Sequence, residues 1–219
     1  DFSGGFVRVM TKNIPDGNTF NVSYQMGFNT NATFRNFQLT DGTAKDYLGF
    51  GADVRNLPSS FPAHLGEHST DEAAAFTRQI NQRWGINKFT AIPDQKISLT
   101  SHRSYDVGGW KIGNITNLNW STEFDYSETV NNNYIAYDVK NDVSRPRFEY
   151  NDIRYKNTSK LGALFNWSFQ RDGSKYELRN FFSQRGVSAL TQREGMNYYS
   201  DKDIRKWESL YTGRTTYSG

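Results

Sequence analysis

The chain has 219 residues and a net charge of +3, with Lys and Arg interspersed among Asp and Glu, so no basic stripe marks a nucleic-acid partner. It holds no cysteine, which excludes a disulfide scaffold and Cys-ligated zinc, and no apolar run long enough for a transmembrane helix. Its hydrophobic fraction of 36% and mean hydropathy of −0.78 are low for a packed soluble domain, yet 16% of its residues are aromatic, a combination suited to a sheet with water on one face and lipid or other rings on the opposite one.

The first segment read from periodicity is the clearest: Phe20, Val22, Tyr24, Met26 and Phe28 alternate with Asn21, Ser23, Gln25, Gly27 and Asn29, giving one apolar face. Thr116, Leu118, Trp120, Thr122, Phe124 and Tyr126 repeat the pattern, as do Leu161, Ala163, Phe165, Trp167 and Phe169. Less regular strands are predicted near Ile97 to Val107, Tyr176 to Gln184 and Trp207 to Tyr217. The candidate lipid-facing residues are therefore Phe20, Val22, Tyr24, Met26, Phe28, Leu118, Trp120, Phe124, Phe165, Trp167 and Phe169.

Connections alternate in length along the chain. Gly108-Gly109 and Asp172-Gly173 suit the positive φ angles of tight hairpin turns, whereas residues about 30–95, 128–158 and 186–206 are expected as long loops. Short turns at one end and long loops at the other are the habit of outer-membrane barrels, with the short turns periplasmic and the long loops extracellular. Each strand then needs roughly 9 to 11 tilted residues to cross the hydrocarbon layer. Asn-x-Ser/Thr triplets begin at Asn21, Asn31, Asn114, Asn119, Asn157 and Asn166, and the abundance of these residue types explains them without glycosylation.

The first long connection carries a helix signal: Ser69 and Glu72 make a capping box, Ala73 to Ala75 favour helix, Phe76, Ile80 and Trp84 share a face, and Gly85 ends the run. That stripe is expected to dock on a neighbouring loop or the barrel. His64-Leu65-Gly66-Glu67-His68 matches the His-x-x-Glu-His zinc-peptidase pattern, but Pro58, Pro62 and Gly66 deny it the helix that would bring both imidazoles to one face. Asp71 with Glu72 suits a helix's first turn, and Glu123 with Asp125 a polar strand face, so neither pair reads as a glycosidase dyad. The glycines at 17, 42, 49 and 51 do not form a phosphate-binding loop. No enzyme activity, metal or cofactor is expected.

Ser3-Gly4-Gly5-Phe6-Val7-Arg8-Val9-Met10-Thr11-Lys12 resembles the end of the N-terminal plug of TonB-dependent outer-membrane receptors, in particular those of Bacteroidetes, and Asn13-Ile14-Pro15-Asp16-Gly17 is similar to their link from plug to barrel. Asn31 to Phe34, Asp46 to Phe50 and Arg55 to Pro58 are similar to first-loop sequences of the same receptors. The resemblance implies an all-β fold, with residues 1–13 as the last plug strand and 14–219 as the N-terminal part of a transmembrane antiparallel barrel. Only about six strands are expected here, against the 22 of large plugged transporters, so the chain is expected to be a fragment.

The implied function is TonB-driven import of a siderophore, cobalamin, glycan or peptide across the outer membrane of a Gram-negative cell. The implied partners are TonB, through a segment absent from this chain, together with the rest of the barrel and plug, membrane lipid, and a SusD-like surface lipoprotein in some members. Two rivals are carried forward: a soluble all-β surface module that binds carbohydrate through exposed rings, and a receptor-like barrel acting as a structural subunit of an outer-membrane assembly.

Overall fold

The computed structural model describes residues 14–80 and 85–218. The strands are β1 Thr19–Gly27, β2 Asn36–Thr40, β3 Ile86–Thr90, β4 Asp94–Val107, β5 Trp110–Asp138, β6 Val143–Arg171, β7 Ser174–Asn197 and β8 Lys202–Ser218, with helix α1 Thr70–Arg78 between β2 and β3. Six strands form one antiparallel sheet in the order β1-β4-β5-β6-β7-β8, while β2 and β3 pair separately. The fold is all-β. Among the described residues the sheet stays open, with β1 and β8 each presenting one unpaired edge. The strand expected over residues 1–13 lies outside the described residues.

Both tight turns form where their residues require. Gly108 and Gly109 have φ of 57° and 78°, and Asp172 and Gly173 have 47° and 81°, the pairs of positive φ that match a two-residue hairpin to the twist of its strands.

The long loops expected at 128–158 and 186–206 are corrected by the structure. Strands β5 and β6 run 29 residues each and leave only residues 139–142 between them, and β7 and β8 are separated by residues 198–201. The apolar alternation lapses beyond Tyr126, which hides these strands from a pattern search, but main-chain pairing continues through polar stretches such as Asn131 to Asn133 against Phe148 to Tyr150. A register shift near Tyr134 marks a bulge in this outer part.

Only the first connection, between β1 and β4, is long, and it has its own core. The β2–β3 hairpin lays Phe37, fully buried, against Phe89, Phe124 and Tyr155, with Ala32, Ala91 and Leu190 closing the cluster. Burying a ring of that size stabilises the docked hairpin by about 1.5 to 3 kcal/mol. The following segment lies flat on the sheet because two glycines meet: a Cβ placed at Gly186 would stand 2.6 Å from the Cα of Gly49. Gln184 donates its side-chain amide to the carbonyl of Gly49, and the backbone N–H of Gly51 donates to the Tyr211 hydroxyl at 2.7 Å. Arg55 lies over the Tyr211 ring and grips Asp46 at 2.6 Å, which locks the segment onto β8.

Helix α1 begins with the expected capping box, Glu72 N–H donating to the Ser69 hydroxyl at 3.4 Å and Ser69 N–H to the Glu72 carboxylate at 3.0 Å. It ends at Arg78, with no fully buried residue. Phe76 meets Phe61 and His68 within the same connection, so it docks locally, while Trp84 of the expected stripe lies outside the described residues.

Candidate membrane-facing surface

Antiparallel pairing makes each rung of the sheet a row of side chains on one face, so the strand register sorts every strand residue by side. The rung Val22, Leu99, Leu118, Ala163, Phe182, Tyr217 crosses all six strands and is apolar or aromatic throughout. The neighbouring rung on the opposite face reads Ser23, Ser98, Asn119, Gly162, Ser183, Thr216 and contains no apolar side chain larger than glycine. These two rungs set an apolar face against a polar one, with Arg103, Asn114 and Asn180 interrupting the first face and Leu164 and Phe181 the second.

All the candidate outward residues on β1, β5 and β6 share the apolar face, because Phe20, Val22, Tyr24 and Met26 align through β4 with Leu118 and Trp120, and these with Phe165, Trp167 and Phe169 along β6. Val22 is 61% exposed, and Phe20, Tyr24, Met26, Leu118 and Phe165 are likewise open. Phe165, Trp167 and Phe169 contact one another in sequence along the strand, at centroid spacings of 6.0 and 6.1 Å. Phe28 lies just past the end of β1 and is exposed beside Phe34. The pattern search did not single out Ile97, Leu99, Tyr105, Ile112, Tyr176 and Leu178, which complete the same face through the register. Polar residues such as Arg103 and Asn180 interrupt the period in these strands.

Phe124 departs from the expectation. It is 3% exposed, because the β2–β3 hairpin covers this part of the face and places Phe37 edge-on to its ring. Trp120 marks the border, half-buried, its indole N–H donating to the carbonyl of Tyr47 at 2.6 Å. The apolar face therefore divides in two. An open band extends from the tight turns to the rung of Trp120 and Leu161, and beyond it the chain's own first connection forms a lid.

Comparison with family models, with curated proteins and with solved structures returned no match for this chain.

The polar face holds ordered side-chain pairs. Ser23 and Ser98 hydroxyls meet at 2.7 Å, and Asn117 donates to the Thr100 hydroxyl at 2.8 Å. Higher up, Lys156 pairs with Asp125 at 2.6 Å, Lys160 with Glu123 at 3.1 Å, and Arg193 with Asp152 at 2.6 Å. Glu123 and Asp125 thus each hold a lysine. The Arg193 guanidinium keeps the Asp152 carboxyl below the usual carboxylate range, while the Tyr126 phenol on the other face, donating to Glu128, is pushed up to about 12.

The zinc-peptidase pattern does not assemble. Leu65–Glu67 forms a 3-10 turn, and His64 and His68 on its flanks both have extended backbone, so the imidazoles are not stacked on one α-helical face. Among the described residues no cluster of three or more His, Asp or Glu side chains is arranged to hold a metal ion, and no helix is long and apolar enough to cross a membrane.

Proposed function

We propose that this chain forms part of the wall of an outer-membrane barrel, with the open apolar band against lipid and the polar face toward an aqueous lumen, and that the barrel is a TonB-dependent importer of a nutrient. The supporting observation is the rung from Val22 to Tyr217, apolar across six strands, set beside a rung on the reverse face with none. Exposing such a band to water would be costly, at about 25 cal/mol per Å² of apolar surface, and lipid removes that cost.

Strand length fits the same reading. A bilayer needs roughly 9 to 11 tilted residues, and the open band takes up about that much of β5 between Trp110 and Trp120. The rest of the 29-residue strand, covered on one side by the β2–β3 pair at Phe124 and mixed in polarity beyond it, would stand above the membrane as a hairpin wall. The tight turns at Gly108-Gly109 and Asp172-Gly173 then face the periplasm. Unpaired edges on β1 and β8 would be an aggregation hazard if left free, and further strands closing a barrel satisfy them.

The chain's lack of cysteine provides a direct test. Single cysteines at Val22, Leu118 and Phe165, and at Ser23, Asn119 and Ser183, would be spin-labelled in outer membranes. The first set should be relaxed by molecular oxygen and the second by a water-soluble nickel chelate. Equal accessibility of the two sets would dismiss the membrane wall. Import is tested separately, by comparing solutes depleted from the medium by cells with and without the protein, before and after a protonophore. An importer depletes at least one solute in an energy-dependent way, whereas a purely structural barrel depletes none.

A further inference from the structure

The polar face carries one rung that breaks the pairing of opposite charges seen elsewhere on it. Gln25, Lys96, Ser121, Lys160, Arg185 and Arg214 are successive cross-strand partners from β1 to β8. Four cations share this rung, with no carboxylate on it. Directly opposed side chains on antiparallel strands have Cβ atoms roughly 4.5 to 5.5 Å apart, and like charges so placed repel. Lys160 is relieved by Glu123 on the adjoining rung. Arg185 and Arg214 face each other with no ion pair or hydrogen-bond partner among the described residues.

Within β7 and β8 the adjoining rungs hold no acid either. The rung on one side reads Ser183 and Thr216, and on the other Val187 and Thr212, so hydroxyls and a valine stand where a compensating acid would be expected. The first connection lies on the opposite face of the sheet, where Gly49 meets Gly186, and cannot neutralise them. Arg185 and Lys160 border a cleft of about 270 Å³ on the polar face, whose other wall is acidic, with Asp94, Glu123 and Asp125. Positive charge is thus concentrated toward β7 and β8, beside hydroxyl donors.

We propose that Lys160, Arg185 and Arg214, with the hydroxyls of Ser183 and Thr216, form a binding site for a small oxyanion, a carboxylate- or phosphate-bearing solute. Guanidinium groups suit this task, because their planar donors match both oxygens of such a group. The proposal rests on the proposed function for its setting, the lumen face of the wall, while the cross-strand register alone assembles the site. An anion seated between Arg185 and Arg214 would convert their repulsion into two charge-assisted contacts.

The experiment uses the intact protein extracted from its native membrane, with thermal unfolding followed at constant ionic strength. Inorganic phosphate and citrate would each replace chloride in stepwise fashion. The wild type should show a saturable rise in Tm with at least one of them. The double variant Arg185→Gln/Arg214→Gln should lose that rise and, in chloride alone, unfold at a higher temperature than the wild type, because the repulsion is gone. Arg185→Lys should keep part of the response, and Lys140→Gln, at a distant turn, all of it.

No rise in the wild type, or an equal rise in the double variant, would overturn the site. So would a rung found occupied by an acidic protein segment of the same barrel. The spin-label result on facing is independent of all these outcomes, so failure of the site and failure of the membrane reading are distinguishable.

Discussion

Phe37 and Phe124 meet edge to face, their centroids 5.4 Å apart and their planes at 88°, with Phe37 wholly removed from solvent. The first ring belongs to the long connection and the second to β5 of the main sheet, so this contact seats one on the other. Phe37→Ala should cost about 3 to 5 kcal/mol at the site. Hydrogen exchange is the appropriate readout: amides of β2 and β3 should lose protection while the β5–β6 ladder near Leu118 keeps it. Uniform protection in the variant would show that the hairpin is held by other contacts.

On the open band, Val22→Arg or Phe165→Arg should cost about 2 to 4 kcal/mol if the residue sits near the bilayer midplane. Asn21→Gln and Ser23→Thr, one position away on the reverse face, should be tolerated. Folding yield into lipid bilayers measures the difference, and equal yields for the two pairs would reverse or abolish the assigned facing.

Acid should loosen the β6–β7 ladder at a definite place. Arg193 donates to both carboxylate oxygens of Asp152, at 2.7 and 2.6 Å, and these hydrogen bonds hold the Asp152 pKa down. A lowered folded pKa means that the pair's contribution is complete above the unfolded carboxylate value of about 3.9 and is lost as pH falls through the lower folded value. In Arg193→Gln the Asp152 carboxyl should titrate closer to its ordinary range, and the acid sensitivity of amide exchange around residues 150–154 should flatten. Carboxyl-carbon NMR follows the titration directly, and an unmoved Asp152 titration would mean that Arg193 is not its partner in solution.

Tyr126 offers an alkaline counterpart. Its hydroxyl donates to Glu128, and that hydrogen bond raises its pKa to about 12. Glu128→Gln should return the phenol toward about 10, since a neutral amide no longer opposes the phenolate. Site-specific ring-carbon labelling reads this one tyrosine among the 13 in the chain. If its titration stays high after the substitution, burial beside Tyr155 is the governing cause instead.

The apolar face was legible in the sequence wherever alternation was unbroken, as from Phe20 to Phe28 and from Leu161 to Phe169, because a period of two has a single structural meaning over that length. The tight turns were equally legible, since few residues other than glycine and aspartate accept their backbone angles readily. The outermost stretches of β5, β6, β7 and β8, beyond the docked β2–β3 pair, were not, because a mostly exposed ladder imposes no rule on its side chains. Phe124 satisfied the alternation and still misled, since periodicity gives the side of a sheet and not what covers it. The cationic rung was invisible for a related reason: Lys96, Lys160, Arg185 and Arg214 are scattered in sequence, and only the cross-strand register makes them neighbours.

Gly186 faces Gly49 across a gap that a single methyl would overfill. Even alanine at position 186 would act as a wedge, lifting the connection and straining the contacts from Gln184 to Gly49 and from Gly51 to Tyr211. Thr122 and Ser159, on the same rung and fully dry beneath that segment, would be the first groups reached by water. How closely the connection lies on the sheet is thus set by a hydrogen atom where other residues carry carbon.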